Sequence, residues 1–318
     1  MNSNNHSLLI YGNVLIESER KLDFFKFTLP LWVDFWDAPT IIRVRGQHAR
    51  EAEEFARNLR NVEFRTGSEY LTWRAQVRAD LAHVPQTYVF QYVEDHMPHP
   101  DASPPGEILS QLRDQEPDIL QYSWHPLYLP MRDMLPEFGA GVYSSMMVQA
   151  MSRSMLKKVG RQTGLYSIGL TSVFKREFFL RLLGTVRPIV RRFDPTAPFD
   201  VEQHATSSWF APIRFALPVK ELGTCIDDDH SVPGSSAMSR GLFPDSEIPR
   251  EFNHHSATSF RKNFGHKIPT GTGAFPVALS KILTLLDIVV YSVTSLIFHF
   301  IDSHKSNSEI KNHKRPKN

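Results

Sequence analysis

Short apolar runs alternate with amphipathic stretches through the first third of the chain. "SLLIYGNVLI" reads as a strand, "ERKLDFFKFTLPLWVDFW" as a helix that Pro30 bends or breaks, and "PTIIRVRG" as a second strand closed by Gly46. "HAREAEEFARNL" places Ala49, Ala52, Phe55, Ala56 and Leu59 near helical spacing with charges between them, which predicts a helix with one apolar face. "NVEFRTG" follows as a short strand, "EYLTWRAQVRADLAHV" as a helix and "TYVFQYVE" as a strand. This alternation predicts β-α-β units and a mainly parallel central sheet flanked by helices. The near-continuous apolar character of the strands agrees, because parallel strands are covered on both faces.

Farther on, "HMPHPDASPPG" is a proline-rich loop, "EILSQLRDQ" a short helix and "PDILQYSW" another strand. Pro126, Pro130, Pro136, Gly139 and Gly141 predict a surface loop from His125 to Gly141. A helix is expected in "VYSSMMVQAMSRSMLKKVG", with Met146, Met147, Met151 and Met155 as core or interface filler. Elements then mix less regularly up to Pro244. The organisation expected is a single α/β domain over 7–244, a polar linker over 245–274, a hydrophobic helix over 275–301 and a basic tail over 302–318. For the hydrophobic stretch, "FPVALSKILTLLDIVVYSVTSLIFHFI", three readings compete: a tail anchor, a helix lying on an anionic lipid surface, and a helix packed on the domain. Asp287 would cost about 2.5–3.5 kcal/mol at the centre of a bilayer, which an otherwise apolar segment tolerates. With Lys305, Lys311, Lys314, Arg315 and Lys317 behind it on the cytoplasmic side, some form of membrane attachment, spanning or lying flat, ranks slightly ahead of packing on the domain.

Composition narrows the partners. Lysine plus arginine number 36 against 34 acids, so a net charge of +2 supplies no field that would draw nucleic acid. The single cysteine, Cys225, excludes an intramolecular disulfide, argues against a cysteine-built zinc site and fits a cytoplasmic location. Fourteen histidines could supply metal ligands instead. The start, "MNSNNHSLLIYGN", has neither the basic region nor the long apolar core of a secretory signal. The fingerprints GxGxxG, GxxxxGK[ST] and GxSxG are all missing, which leaves dinucleotide, P-loop and nucleophile-elbow chemistry without a motif.

Three clusters carry candidate chemistry. Glu94, Asp95 and His96 follow the apolar run of "TYVFQYVEDHMPHP", where an open α/β sheet places its ligand crevice. Carboxylates there suit a hard divalent cation bridging to substrate phosphates, and a solvated acidic turn is the plain alternative. In "DPTAPFDVEQH", Glu202 or Asp200 could take a hydroxyl proton as general base, the alternative being helix capping by Asp200. In "CIDDDHSVPGSSAMSRGLFP", three consecutive acids, Asp227 to Asp229, precede His230, a metal or phosphate contact or part of an exposed turn, and Arg240 could meet phosphate oxygens.

With these clusters in this order, the chain resembles the GT-A fold glycosyltransferases, most closely the inverting enzymes that use nucleotide-diphosphate sugars. In that family a β-α-β nucleotide-binding half ends in an acidic motif that holds a divalent cation on the donor diphosphate. "YVFQYVEDH" stands where that motif belongs, "FDVEQH" where the base belongs and "DDDHSVPGSSAMSRG" where a closing loop belongs. The resemblance implies Mn2+ or Mg2+ on Asp95 and His96 with His230 as a late contact, and donor binding by Arg74, Glu94 and Arg240. It also implies Glu202 as base with Asp200 in reserve, and a glycan or lipid-linked acceptor. The chain departs from the family pattern in having His96 where an acid is usual, and Arg45 and Gly46 where an acid commonly grips the base. Two other readings stay open: a nucleotidyltransferase on a related sheet, and a membrane-tethered sugar-binding protein without turnover.

Overall fold

The near-continuous apolar run Leu8–Leu15 forms the central strand β1, whose residues alternate between two buried faces. Leu8, Ile10 and Val14 enter one core, and Leu9 and Tyr11 enter the other. In this computed structural model the described residues are 7–66, 73–123, 129–163, 169–184, 210–226, 236–238, 240 and 242. All belong to one unit; a second, Val186–Arg192 with His266–Asn318, lies outside the described residues, as do Asp200, Glu202, His230 and the predicted linker, hydrophobic helix and tail. No helix among the described residues is long and apolar enough to cross a membrane.

After β1 come helix α1 (Glu19–Trp36), β2 (Thr40–Arg45), α2 (Ala49–Ala56), β3 (Val62–Thr66), α3 (Trp73–Leu81) and β4 (Tyr88–Gln91). Then follow β5 (His96–Pro98), α4 (Pro105–Gln115), β6 (Ile119–Gln121), α5 (Leu129–Glu137), β7 (Gly141–Val142) and β8 (Met146–Met151). The described elements end with α6 (Arg153–Thr163), β9 (Ser172–Lys175), α7 (Arg176–Leu183), β10 (Ile213–Pro218) and β11 (Gly223–Cys225).

Nine strands form one sheet in the order β3-β2-β1-β4-β9-β6-β10-β8-β7, while β5 and β11 pair separately. The half made of β3, β2, β1 and β4 is parallel throughout. The other half is mixed, with β9 antiparallel to both β4 and β6, and β8 antiparallel to β10 and β7, so the sheet is less parallel than its first half predicts. Residues of α1, α2 and α4 share one apolar core, and residues of α3, α5, α6 and α7 the other, so helices cover both faces.

Helix α1 starts at Ser18, whose hydroxyl accepts from the Lys21 N–H, and ends on Asp37 in the left-handed conformation. Of the bend or break expected at Pro30, there is no break: the helix continues through it, and its broad apolar stripe of Phe25, Leu29, Trp32, Val33 and Trp36 anchors both sides of the proline in the core. Two other expectations fail. The methionine-rich helix is in fact β8 followed by α6, because "MMVQAM" buries Met146, Val148 and Met151 and pairs antiparallel with β10, a long-range contact that outweighs local propensity. The loop expected up to Gly141 contains α5, with Pro130 in its first turn, where a missing N–H costs nothing.

Candidate functional site

Strand β1 has β2 on one side and β4 on the other, and the chain order reverses there, so a topological switch point lies at the carboxyl ends of β1 and β4. Strand β4 stops at Gln91, earlier than its apolar run suggests. Glu94 and Asp95 therefore occupy a tight turn, and His96 opens β5. The acidic cluster joins the large sheet to the small ribbon.

Helix α1 fixes this turn from one stripe. Lys21, Thr28 and Trp32 are spaced seven and four apart and so lie on one helix face. The Lys21 ammonium is 3.5 Å from Glu94 Oε1. The Thr28 hydroxyl donates to the Glu94 carbonyl at 2.9 Å, and the Trp32 indole N–H donates to the His96 carbonyl at 2.8 Å. On the other side the Ile226 N–H donates to the Asp95 carbonyl at 2.7 Å, and β11 pairs antiparallel with β5, setting Cys225 opposite His96. Gly223 makes that approach possible: a Cβ there would stand 2.7 Å from the Trp32 ring and 3.0 Å from that of Tyr122.

The side chains remain partly accessible. His96 is 10% exposed and Asp95 41%, and Nδ1 of the one lies 2.7 Å from Oδ1 of the other. Burial pushes the Asp95 carboxyl up, but the charge and hydrogen bond of His96 outweigh it and hold the group below its ordinary value. Glu94 is shifted the other way: burial, then the charge of Asp95, raise it against the pull of Lys21. Two adjacent carboxylates opposed in this manner are a place where a cation is favourable. One donor atom each from Asp95, His96 and Cys225 lies within 4.8 Å of the others, a grouping that could hold a metal ion.

Two buried amides, one near the carboxyl end of β1 and one at that of β4, have atoms without a hydrogen-bond partner among the described residues, Nδ2 of Asn13 and Oε1 of Gln91. In the opposite direction, at the starts of β2 and β3 and before β4, a concavity of about 490 Å³ is lined by Pro39, Thr40, Asn61, Val62, Pro85 and Gln86. It lies at the amino ends of the strands, away from the crevice that this sheet order creates, and is set aside as the substrate site.

No family model matches the chain, and no curated protein matches it either.

Of the residues singled out in the sequence, Glu94, Asp95 and His96 come together as described. Arg240 lies on the opposite face of the ribbon from Cys225: it ion-pairs with buried Glu221 at 2.6 Å, reaches Thr224 at 3.4 Å and stands 3.0 Å from His99. Arg74 donates to the Leu182 carbonyl in the last turn of α7, in the helix layer across the sheet from α1. The structure thus brings neither arginine into contact with the acidic turn. Sequence inspection missed Cys225 as a potential ligand, because its partner His96 is distant in the chain and only the β5–β11 register joins them. It also missed the stripe of Lys21, Thr28 and Trp32, whose seven-and-four spacing could have suggested a common contact.

Proposed function

We propose that the protein is a cation-assisted glycosyltransferase that takes a sugar from a nucleotide-diphosphate donor, as the likeness to the GT-A enzymes implies. The observation that carries this is the acidic turn at the switch point of a parallel β-α-β half, held by α1 on one side and the β5–β11 ribbon on the other. Fold alone would not select a function; the titratable groups in the crevice are what support this one.

In this reading Asp95 and His96 hold the cation, and Glu94, whose carboxyl is raised by burial and then by the Asp95 charge, faces the donor. The ion, when bound, neutralises charge on the departing nucleoside diphosphate. The open amide atoms of Asn13 and Gln91 offer a donor and an acceptor to the nucleoside. Glu202 is assigned as the base that removes the acceptor hydroxyl proton, with Asp200 in reserve and His230 as a late contact. The acceptor class is a glycan or a lipid-linked sugar, consistent with membrane attachment by the 275–301 stretch.

The test is donor hydrolysis and transfer across a panel of nucleotide sugars with Mn2+, comparing the full chain with Asp95→Ala and Glu202→Gln. Each substitution is expected to lower turnover by about 10²- to 10³-fold, the cost of removing one preorganised charge or proton acceptor. Asp95→Ala turning over like the wild type sinks the assignment. Tight donor binding without any turnover favours a sugar-binding protein instead.

A further inference from the structure

His96 and Cys225 face each other across the β5–β11 ladder, so both side chains leave the same face of the ribbon. Asp95 joins them through the 2.7 Å contact with His96. Beneath the cluster lies Tyr122, at the end of β6. Its ring meets that of His96 edge-on at 6.0 Å and its side chain is fully buried, yet its hydroxyl has no hydrogen-bond partner among the described residues. A buried hydroxyl left unpaired is costly, so its position against His96 calls for an oxygen that the described residues do not supply.

We propose that Asp95, His96 and Cys225 bind one zinc-class divalent ion, with the Tyr122 hydroxyl donating to the oxygen that fills its fourth position. The proposal rests on the reading of this turn as a cation site and changes the metal it selects. Mg2+ takes oxygen ligands in octahedral geometry and gains little from an imidazole or a thiolate. Zinc accepts all three types, and three protein ligands with one open position is its usual catalytic arrangement. Tetrahedral zinc sets its ligand atoms roughly 3.5 Å apart, so a set now within 4.8 Å needs to contract by about 1 Å. Asp95 is partly exposed and Cys225 half-buried, which leaves both room to move. On binding, the thiol of Cys225 gives its proton to solvent, so affinity falls as pH falls. The small number of cysteines excludes a site built from several thiolates, and a mixed site with one thiolate escapes that exclusion.

Cys225 is the only cysteine, so thiol chemistry reports on this position alone. Cobalt(II) added to the full chain should produce a thiolate-to-metal charge-transfer band that Cys225→Ser abolishes. Zn2+ should slow alkylation of the wild-type thiol by iodoacetamide, whereas Mg2+ should not. Tyr122→Phe should keep the band and weaken zinc about tenfold, the usual cost of an outer partner. Absence of the band together with equal alkylation rates with and without Zn2+ overturns the proposal, and unchanged zinc affinity in Tyr122→Phe removes the tyrosine from it. The alkylation arm uses the unmodified protein, so misfolding of a variant cannot mimic failure. Mn2+-dependent donor turnover without any metal bound at Cys225 would leave the transferase reading standing and this one fallen. Zinc bound at Cys225 without donor binding would do the reverse.

Discussion

Two carboxylate centres lie near the same parallel strands, and they are built to opposite ends. Asp80 of α3 is buried, and both of its oxygens are filled: Oδ1 accepts from Arg43 at 2.8 Å and Arg65 at 2.9 Å, and Oδ2 accepts from Tyr11 at 2.8 Å and Arg43 at 2.9 Å. Burial pushes its carboxyl up, but hydrogen bonds from Arg43, Arg65 and Tyr11 more than offset this and hold it below its ordinary value. Glu94 and Asp95 have one side-chain partner each among the described residues, Lys21 and His96. An acid whose lone pairs are all taken ties β1, β2, β3 and α3 together and has no capacity for a ligand. The pair in the turn keeps that capacity. Asp80 is also more buried than Asp95, so burial and saturation together set the centres apart.

The largest expected effect tests this directly. Asp80→Ala leaves two arginines and a tyrosine facing an empty buried position and should cost about 3–5 kcal/mol of stability, read from urea denaturation. Asp95→Ala, at a side chain 41% exposed, should cost less than about 1 kcal/mol in metal-free buffer while removing metal-dependent turnover. The comparison breaks if the two variants lose similar stability.

A smaller effect is expected at Gly223. An alanine Cβ would press on the Trp32 and Tyr122 rings, neither of which can retreat from a fully buried position. Gly223→Ala should cost about 1–3 kcal/mol and lift β11 away, separating Cys225 from His96. If alkylation of Cys225 in this variant is still slowed by Zn2+ as in the wild type, the ribbon does not position the ligands.

What was legible in the sequence follows how local each signal is. The parallel half could be read because β1, β2 and β4 are apolar on both faces and α1 to α3 carry helical stripes. Strand β8 could not, because "MMVQAM" suits a helix or a strand and only its pairing with β10 decides. The acidic triplet was visible, but its geometry as a turn was not, since it depends on Trp32 and Thr28 reaching it from α1 and on β11 arriving from much later in the chain. Asp80 attracted no notice in the sequence, because its saturation is assembled from four separate elements.

The smallest effect is a difference in sign with pH, measured in buffer with chelator. Asp80 has a lowered carboxyl, so the unfolded state binds more protons, and the stability it contributes is present above its unfolded value and lost as pH falls through the folded one. Glu94 has a raised carboxyl and behaves oppositely: its contribution is full below the unfolded value and is lost as pH rises through the folded one. Asp95 beside it and Lys21 from α1 are the charged groups that act on it, and Lys21 only partly offsets burial and the Asp95 charge. Glu94→Gln should therefore match or exceed wild-type stability at neutral pH, by less than about 1 kcal/mol, with the advantage shrinking on acidification. Asp80→Asn should instead lose most at neutral pH and least in acid. Equal pH dependence for the two variants in urea melts would mean that Glu94 is as well satisfied as Asp80, and that the turn has no unmet demand for a cation.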